Sequence, residues 1–269
     1  MKKLKSILSI IIWPVVFMIG QFFIRYPFVA NFNSKYLKDL KNVYPNLSDK
    51  ELNNKLIDMI NTVSYKEKLN NYIDSKALII MLITFMIFGF IFYKIYSKYR
   101  LKGEKIPAFK LILLGIFISL FYNIMIFNVN NVIHITDNYY LSNINLGVLI
   151  ITTGIMGPIL EELLFRGIVF NRLRKITSLN KSILIASLIF SICHLPNIIN
   201  SIYAFFLSFI LIKVYLRYKT IKAPILIHCV CNIVTNLYLP ILINNNLIIN
   251  SIVLVISLLG LMFILIRNK

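Results

Sequence analysis

The sequence predicts an all-α membrane protein, a polytopic bundle of about eight transmembrane helices with both termini cytoplasmic. Three observations predict it. Of 269 residues, 58% are hydrophobic and 14% charged, and mean hydropathy is +0.78. A soluble domain is about half apolar and about a quarter charged, and no water-soluble fold has interior enough for this excess. Apolar runs of spanning length recur along the chain. Basic residues then gather between alternate runs, so the net charge of +19 reflects orientation in a bilayer and contact with anionic lipid rather than nucleic-acid binding.

The first span, near 6–24, follows MKKLK. It has the basic and apolar parts of a signal peptide, but QFFIRYPF offers no small-x-small cleavage site, so it is read as uncleaved. Residues 26–76 form an extracytoplasmic loop, and residues 1–130 an N-terminal unit of three spans. Within the loop, LSDKELNNKLIDMINTV predicts an amphipathic helix. Ser48 and Glu51 have capping-box spacing, and Leu52, Leu56, Met59, Ile60 and Val63 form one stripe. Such a helix rests on the bilayer or the bundle.

Further spans are predicted near 77–96, 111–129, 146–165, 182–199, 201–217, 223–242 and 248–266. Each approaches the ~20 residues that cross ~30 Å of hydrocarbon. LPNIIN alone separates the fifth and sixth, which could instead form a broken or re-entrant hairpin. Lys94, Lys98, Arg100, Lys102, Lys105 and Lys110 lie between spans two and three. Arg166, Arg172, Arg174, Lys175 and Lys181 lie between four and five, and Lys213, Arg217, Lys219 and Lys222 between six and seven; the chain ends in RNK. The alternate loops 130–145, 196–200 and 243–249 hold no Lys or Arg. Eight spans fit this alternation and seven do not. Residues 145–240 make the polar core unit, and 247–269 the last span.

Inside the predicted spans of the first 130 residues there is no constellation of polar groups. The second half has one. Eight of ten acidic residues lie in loops; Glu161 and Glu162 do not. A carboxylate in the bilayer costs at least ~2.5–3.5 kcal/mol, so both need partners or a wet cavity. Glu162 and Arg166 are i,i+4 and suited to an ion pair, whereas Glu161 sits about 140° around the helix and is free for chemistry. His228 and Asn232 are also i,i+4 on one face. His194 lies two residues before Pro196, where a kink would leave carbonyls unpaired. At ~1.5 Å per residue from the basic ends, Glu161 and His228 lie about 8–10 Å deep but His194 about 20 Å, so span five must tilt or bend. His134 reads as an outer-loop residue. Cys193, Cys229 and Cys231 lie in apolar runs without CxxC spacing and read as packing residues, with metal assistance a lesser alternative.

EExxxR (Glu161, Glu162, Arg166), FxxxH (Phe190, His194) and HxxxN (His228, Asn232), in that order on membrane spans, resemble the CAAX-protease and bacteriocin-processing (CPBP, Abi) family of intramembrane proteases. The resemblance runs over about 145–240; an additional Glu that often opens the family's first motif is Leu160 here. It implies an intramembrane endopeptidase in which Glu161 activates water with the help of His194. His228 and Asn232 would stabilise the oxyanion, and Glu162, Arg166 and Phe190 support the site. A zinc ion held by Glu161, His194 and His228 is the competing arrangement, though the spacing lacks HExxH. Prenylated CAAX proteins are the substrates of eukaryotic relatives. The Lys/Asn/Ile-rich composition looks bacterial, where a peptide or membrane-protein substrate in the cell membrane fits better. Two other classes compete: a non-hydrolytic immunity or peptide-binding membrane protein, and a small transporter, against which the lack of inverted repeats weighs.

Overall fold

The computed structural model describes the backbone of residues 2–100, 103–133, 144–243 and 247–266, with side chains of residues 8–100, 103–125, 144–237 and 250–260. His134 lies outside the described residues. Ten helices and no strand occur among them: α1 (Lys2–Val43), α2 (Asp49–Ile60), α3 (Val63–Ser75), α4 (Ala77–Tyr99), α5 (Ala108–Ile133), α6 (Leu146–Leu173), α7 (Leu179–Ile192), α8 (Ile198–Tyr218), α9 (Lys222–Ile243) and α10 (Leu247–Ile266). Five of them, α1, α4, α5, α6 and α8, are long and apolar enough to cross a membrane, and apolar stretches of α7, α9 and α10 are shorter.

Several expected boundaries move. The first helix does not stop near residue 24 but runs to Val43 through Pro14 and Pro27, so the first part of the 26–76 loop is helix. Ser48 caps α2 with the reciprocal Glu51 bonds of a capping box. Leu52 and Leu56 are buried with Leu40 and Tyr65, but Ile60 and Val63 are exposed. The stripe ends there because α2 stops at Ile60 and Val63 opens α3.

The fourth span was expected to end at 165, with Arg166 counted among loop charges. The helix instead continues to Leu173, because Arg166 is wholly buried against Glu162; a paired cation need not end a span. Glu161 is therefore 12 residues from the helix end, about 18 Å rather than 8–10 Å. Span five is shorter than expected. α7 ends at Ile192, and His194 sits in the turn that follows, with its N–H on the Ser191 carbonyl at 2.9 Å. Pro196 thus lies in a turn, not at a kink within a helix. The longer α6 thus brings Glu161 close to the depth of His194, whereas His228 stays about 9 Å from the start of α9.

The chain packs around α6. Leu160, Leu164, Ile168 and Val169 are fully buried among Phe88 and Phe92 of α4, Phe17 of α1, and Ile183, Ala186 and Phe190 of α7. A second core joins α5, α8 and α9 through Leu111, Leu114, Leu207, Leu211, Ala223 and Ile227. Gly115 permits this approach: a Cβ there would lie 2.9 Å from Val230 Cβ and 3.0 Å from the Ile227 carbonyl.

The basic connections converge at one end of the bundle. Glu104 N donates to the Tyr218 carbonyl at 2.9 Å and Glu104 pairs with Lys219 at 3.2 Å. Lys175 lies 4.4 Å over the Tyr99 ring. The α7–α8 turn lies away from them, where Tyr122 donates to Asn200 and stacks on Tyr203.

One expectation fails outright. The first 130 residues do contribute a polar group within their spans. Asn123 Nδ2 donates to the Ser119 carbonyl at 2.8 Å and to Thr235 Oγ1 at 3.0 Å, while Ser119 Oγ donates to the Cys231 carbonyl at 2.9 Å. The partners sit more than a hundred residues away on α9, so no local spacing announces the seam.

Candidate active site

Helix α6 supplies the acids. Its regular segment, Gly157–Leu164, carries Pro158 as its second residue, whose missing N–H leaves an upstream carbonyl unpaired, and is flanked by wide π turns, Ile150–Met156 and Phe165–Phe170. Their carbonyls find side-chain partners. Asn232 Nδ2 donates to the Thr153 carbonyl at 2.9 Å, and Asn171 Nδ2 to the Arg166 and Gly167 carbonyls at 3.0 and 3.1 Å.

Glu162 is the buried hub. Its Oε1 accepts from Arg166 Nη1 at 2.8 Å and from His228 Nδ1 at 2.8 Å, all three side chains being buried. The carboxylate assigns the His228 tautomer, since Nδ1 must carry the proton it donates. Nε2 then faces Glu161 Oε2 at 3.7 Å. Glu161 is the more accessible acid, its side chain 27% exposed. The sequence foresaw the Glu162–Arg166 pair but not the histidine that joins it from α9.

Glu161 lines a cleft of about 350 Å³ with Pro14, Phe17, Met18, Gln21, Phe165, Cys193 and His194. The His194 Nδ1–H donates to the Phe190 carbonyl at 2.8 Å, which leaves Nε2 as an acceptor. Phe190, itself buried, lies under the whole group. Its ring is 4.6 Å from His194, 6.0 Å from His228 and 4.8 Å from Phe165, and the Arg166 guanidinium sits 4.7 Å from its centre.

The turn that carries His194 is clasped. Ser191 Oγ donates to the Ser201 carbonyl and Ser201 Oγ to the Ser191 carbonyl, both at 2.7 Å. Asn197 then caps α8 by accepting from Asn200 N at 2.8 Å. Sequence reasoning passed over the serines because FSIC and NSIY carry no spacing that ties residues on two helices.

Of the expected site residues, the structure brings Glu161 and His194 to one cleft and places His228 against both glutamates. Asn232 lies one turn beyond His228, holds Thr153 and does not line the cleft. Among the described residues no three His, Cys, Asp or Glu side chains are arranged to hold a metal ion. Both Nδ1 atoms are engaged, with Phe190 and Glu162, so the free ring nitrogens are the two Nε2 atoms.

Residues 143–234, the stretch with every one of these acids and imidazoles, match the family model described as Type II CAAX prenyl endopeptidase Rce1-like. The chain is 36% identical over 85 residues to the "Putative membrane peptidase YdiL" of Bacillus subtilis (strain 168), across 32% of this chain and 34% of that protein. The chain thus aligns with about a third of the relative's length. No solved structure matches it.

Proposed function

We propose, for a chain that belongs through residues 143–234 to the CAAX-protease family, that it is an intramembrane endopeptidase in which Glu161 activates water. The observation that carries this is one cleft lined by both Glu161 and His194, with the His228 Nε2 3.7 Å behind the acid. Glu161 takes a proton from a water molecule that His194 Nε2 orients by accepting its other hydrogen. The hydroxide adds to the peptide carbonyl carbon, and the oxygen becomes an anion. As the carbon–nitrogen bond breaks, the amine leaves with the proton from Glu161, giving one new carboxyl and one new amino terminus. His228 shares the Glu161 proton through Nε2, and Asn232, one turn beyond it on α9, fixes α6 through the Thr153 carbonyl. Glu162, Arg166 and Phe190 hold both imidazoles in place.

The bundle is proposed to have eight spans with both termini cytoplasmic, since basic connections meet at one end. A peptide or membrane protein is the substrate class; a prenylated carboxyl-terminal peptide is the form that the family description suggests. The test uses full-length protein in nanodiscs with fluorogenic peptides, farnesylated and bare, and terminal proteomics of membranes from expressing cells. Wild type should generate new termini, and Glu161→Gln should lose about 10²–10⁴-fold in rate, the range for a general base. Equal cleavage by the variant would remove Glu161 from the reaction, and an intact cellular phenotype without cleavage would instead favour a peptide-binding protein.

A further inference from the structure

The cleft has two walls. One is the α6–α7 wall with Glu161, Phe165, Cys193 and His194; the other belongs entirely to α1, through Pro14, Phe17, Met18 and Gln21. These four recur at i, i+3, i+4 and i+7, so they form one face of a helix. Packing fixes that face. The Phe17 ring meets Phe88 at 5.1 Å and Phe92 at 5.5 Å. A Cβ at Gly20 would come within 2.2 Å of the Phe88 ring, so the helix is seated too closely on α4 to turn.

Gln21 stands out on this face. Between Ser9 and Arg25 it is the one residue with an amide, hydroxyl or charged side chain. It is exposed at the cleft, and it has no hydrogen-bond partner among the described residues. Hydrolysis of an amide needs hydrogen-bond donors aimed at the developing oxyanion. The opposite wall is poor in them: Glu161 acts as a base, the His194 N–H is held by the Phe190 carbonyl, and Cys193 is a weak donor. The α9 residue Asn232 does not line the cleft. A primary amide supplies two N–H donors and one acceptor.

We infer that Gln21 is the substrate-binding donor of the α1 wall, hydrogen-bonding the carbonyl oxygen of the bond to be cleaved. The inference rests on the peptidase reading above. It places a substrate-contacting residue outside the matched segment, in the first helix. It also implies that the substrate chain lies between α1 and the α6–α7 wall, with its scissile carbonyl toward α1 and its carbon toward Glu161.

The test takes full-length protein in nanodiscs with two readouts: cleavage of the fluorogenic peptides, and binding of a peptidyl trifluoromethyl ketone, which as its hydrate mimics the tetrahedral species. The ketone is made on farnesylated and bare peptides, so the lipid's share of binding is read separately. Gln21→Met keeps the length of the side chain and removes the donor. It should lower kcat about 100-fold with little change in KM, and weaken ketone binding similarly, while the thermal midpoint stays at the wild-type value. Gln21→Leu should match it. Should wild type cleave in a Glu161-dependent way while Gln21→Met cleaves and binds as wild type does, the inference falls and the peptidase reading stands. Gln21-dependent ketone binding without any cleavage overturns the peptidase reading and keeps Gln21 as the donor to a bound carbonyl. A wild type that neither cleaves nor binds the ketone overturns both.

Discussion

Adjacent glutamates should give opposite phenotypes when each is changed to glutamine. Glu162 and Arg166 both have fully buried side chains joined at 2.8 Å. Gln at 162 keeps an oxygen for His228 but removes the charge opposite the guanidinium. Breaking one side of a buried pair costs about 3–5 kcal/mol, because the other ion stays uncompensated. Arg166 has little to fall back on: its Nε and Nη2 have no hydrogen-bond partner among the described residues, and the Phe190 ring lies 4.7 Å away. Glu161 differs in every respect. Its side chain is 27% exposed, and its ion contact lies at 3.7 Å, so Glu161→Gln should cost less than about 1 kcal/mol. Reversible unfolding in mixed micelles, followed by far-UV circular dichroism, measures both. Glu162→Gln should lose stability severely, and Glu161→Gln should lose only activity. Adding Arg166→Met to Glu162→Gln should recover part of the loss, since the orphaned charge is then gone. Equal destabilisation by the two single variants, or no recovery in the double variant, would refute the hub.

Four further outcomes are expected. Ser48→Ala removes the α2 capping box and should cost that helix about 1 kcal/mol, read as lost amide-exchange protection at Asp49–Glu51. Acid should act on the same helix. Hydrogen bonds from Ser48 hold the Glu51 carboxyl below its ordinary value, and the Lys41 ammonium does so for Asp49. Both groups therefore stabilise fully above the ordinary carboxylate range near pH ~4, and protection should fall as pH drops through their lower folded values. Gly115→Ala should force α5 from α9, because its Cβ would lie 3.0 Å from a backbone carbonyl; about 1–3 kcal/mol should be lost in the same unfolding assay. Ser191→Ala leaves the buried Ser201 carbonyl without the Ser191 hydroxyl and should cost about 1–3 kcal/mol. Its loss of cleavage rate should exceed what the unfolded fraction explains, since the turn holding His194 is freed.

The legible part of the site was its local part. Glu162 and Arg166 are four residues apart, and helix spacing alone puts them in contact. Ser48 and Glu51 were readable for the same reason, as was the choice of Glu161 as the acid left over. The site's remaining contacts cross between helices. His228 meets Glu162 from 66 residues away, Ser119 meets Cys231 from 112, and Gln21 shares a cleft with Glu161. Spacing within a helix says nothing about rotation against another helix, which close contacts such as Gly20 on Phe88 and Gly115 on Val230 set.

By itself the sequence determined that this is a chain for lipid, where its polar groups concentrate, and which of them pair along one helix. Hydropathy and the 3.6-residue turn act over neighbours, so they can be read in order along the chain. Only the tertiary structure decided that Arg166 lies inside its helix and that His194 occupies a turn. It decided too that one buried carboxylate orients His228 and that α1 closes the cleft. Each of these depends on what surrounds a residue in space, because a charge is tolerated, a helix ended and a tautomer chosen by the partner it meets.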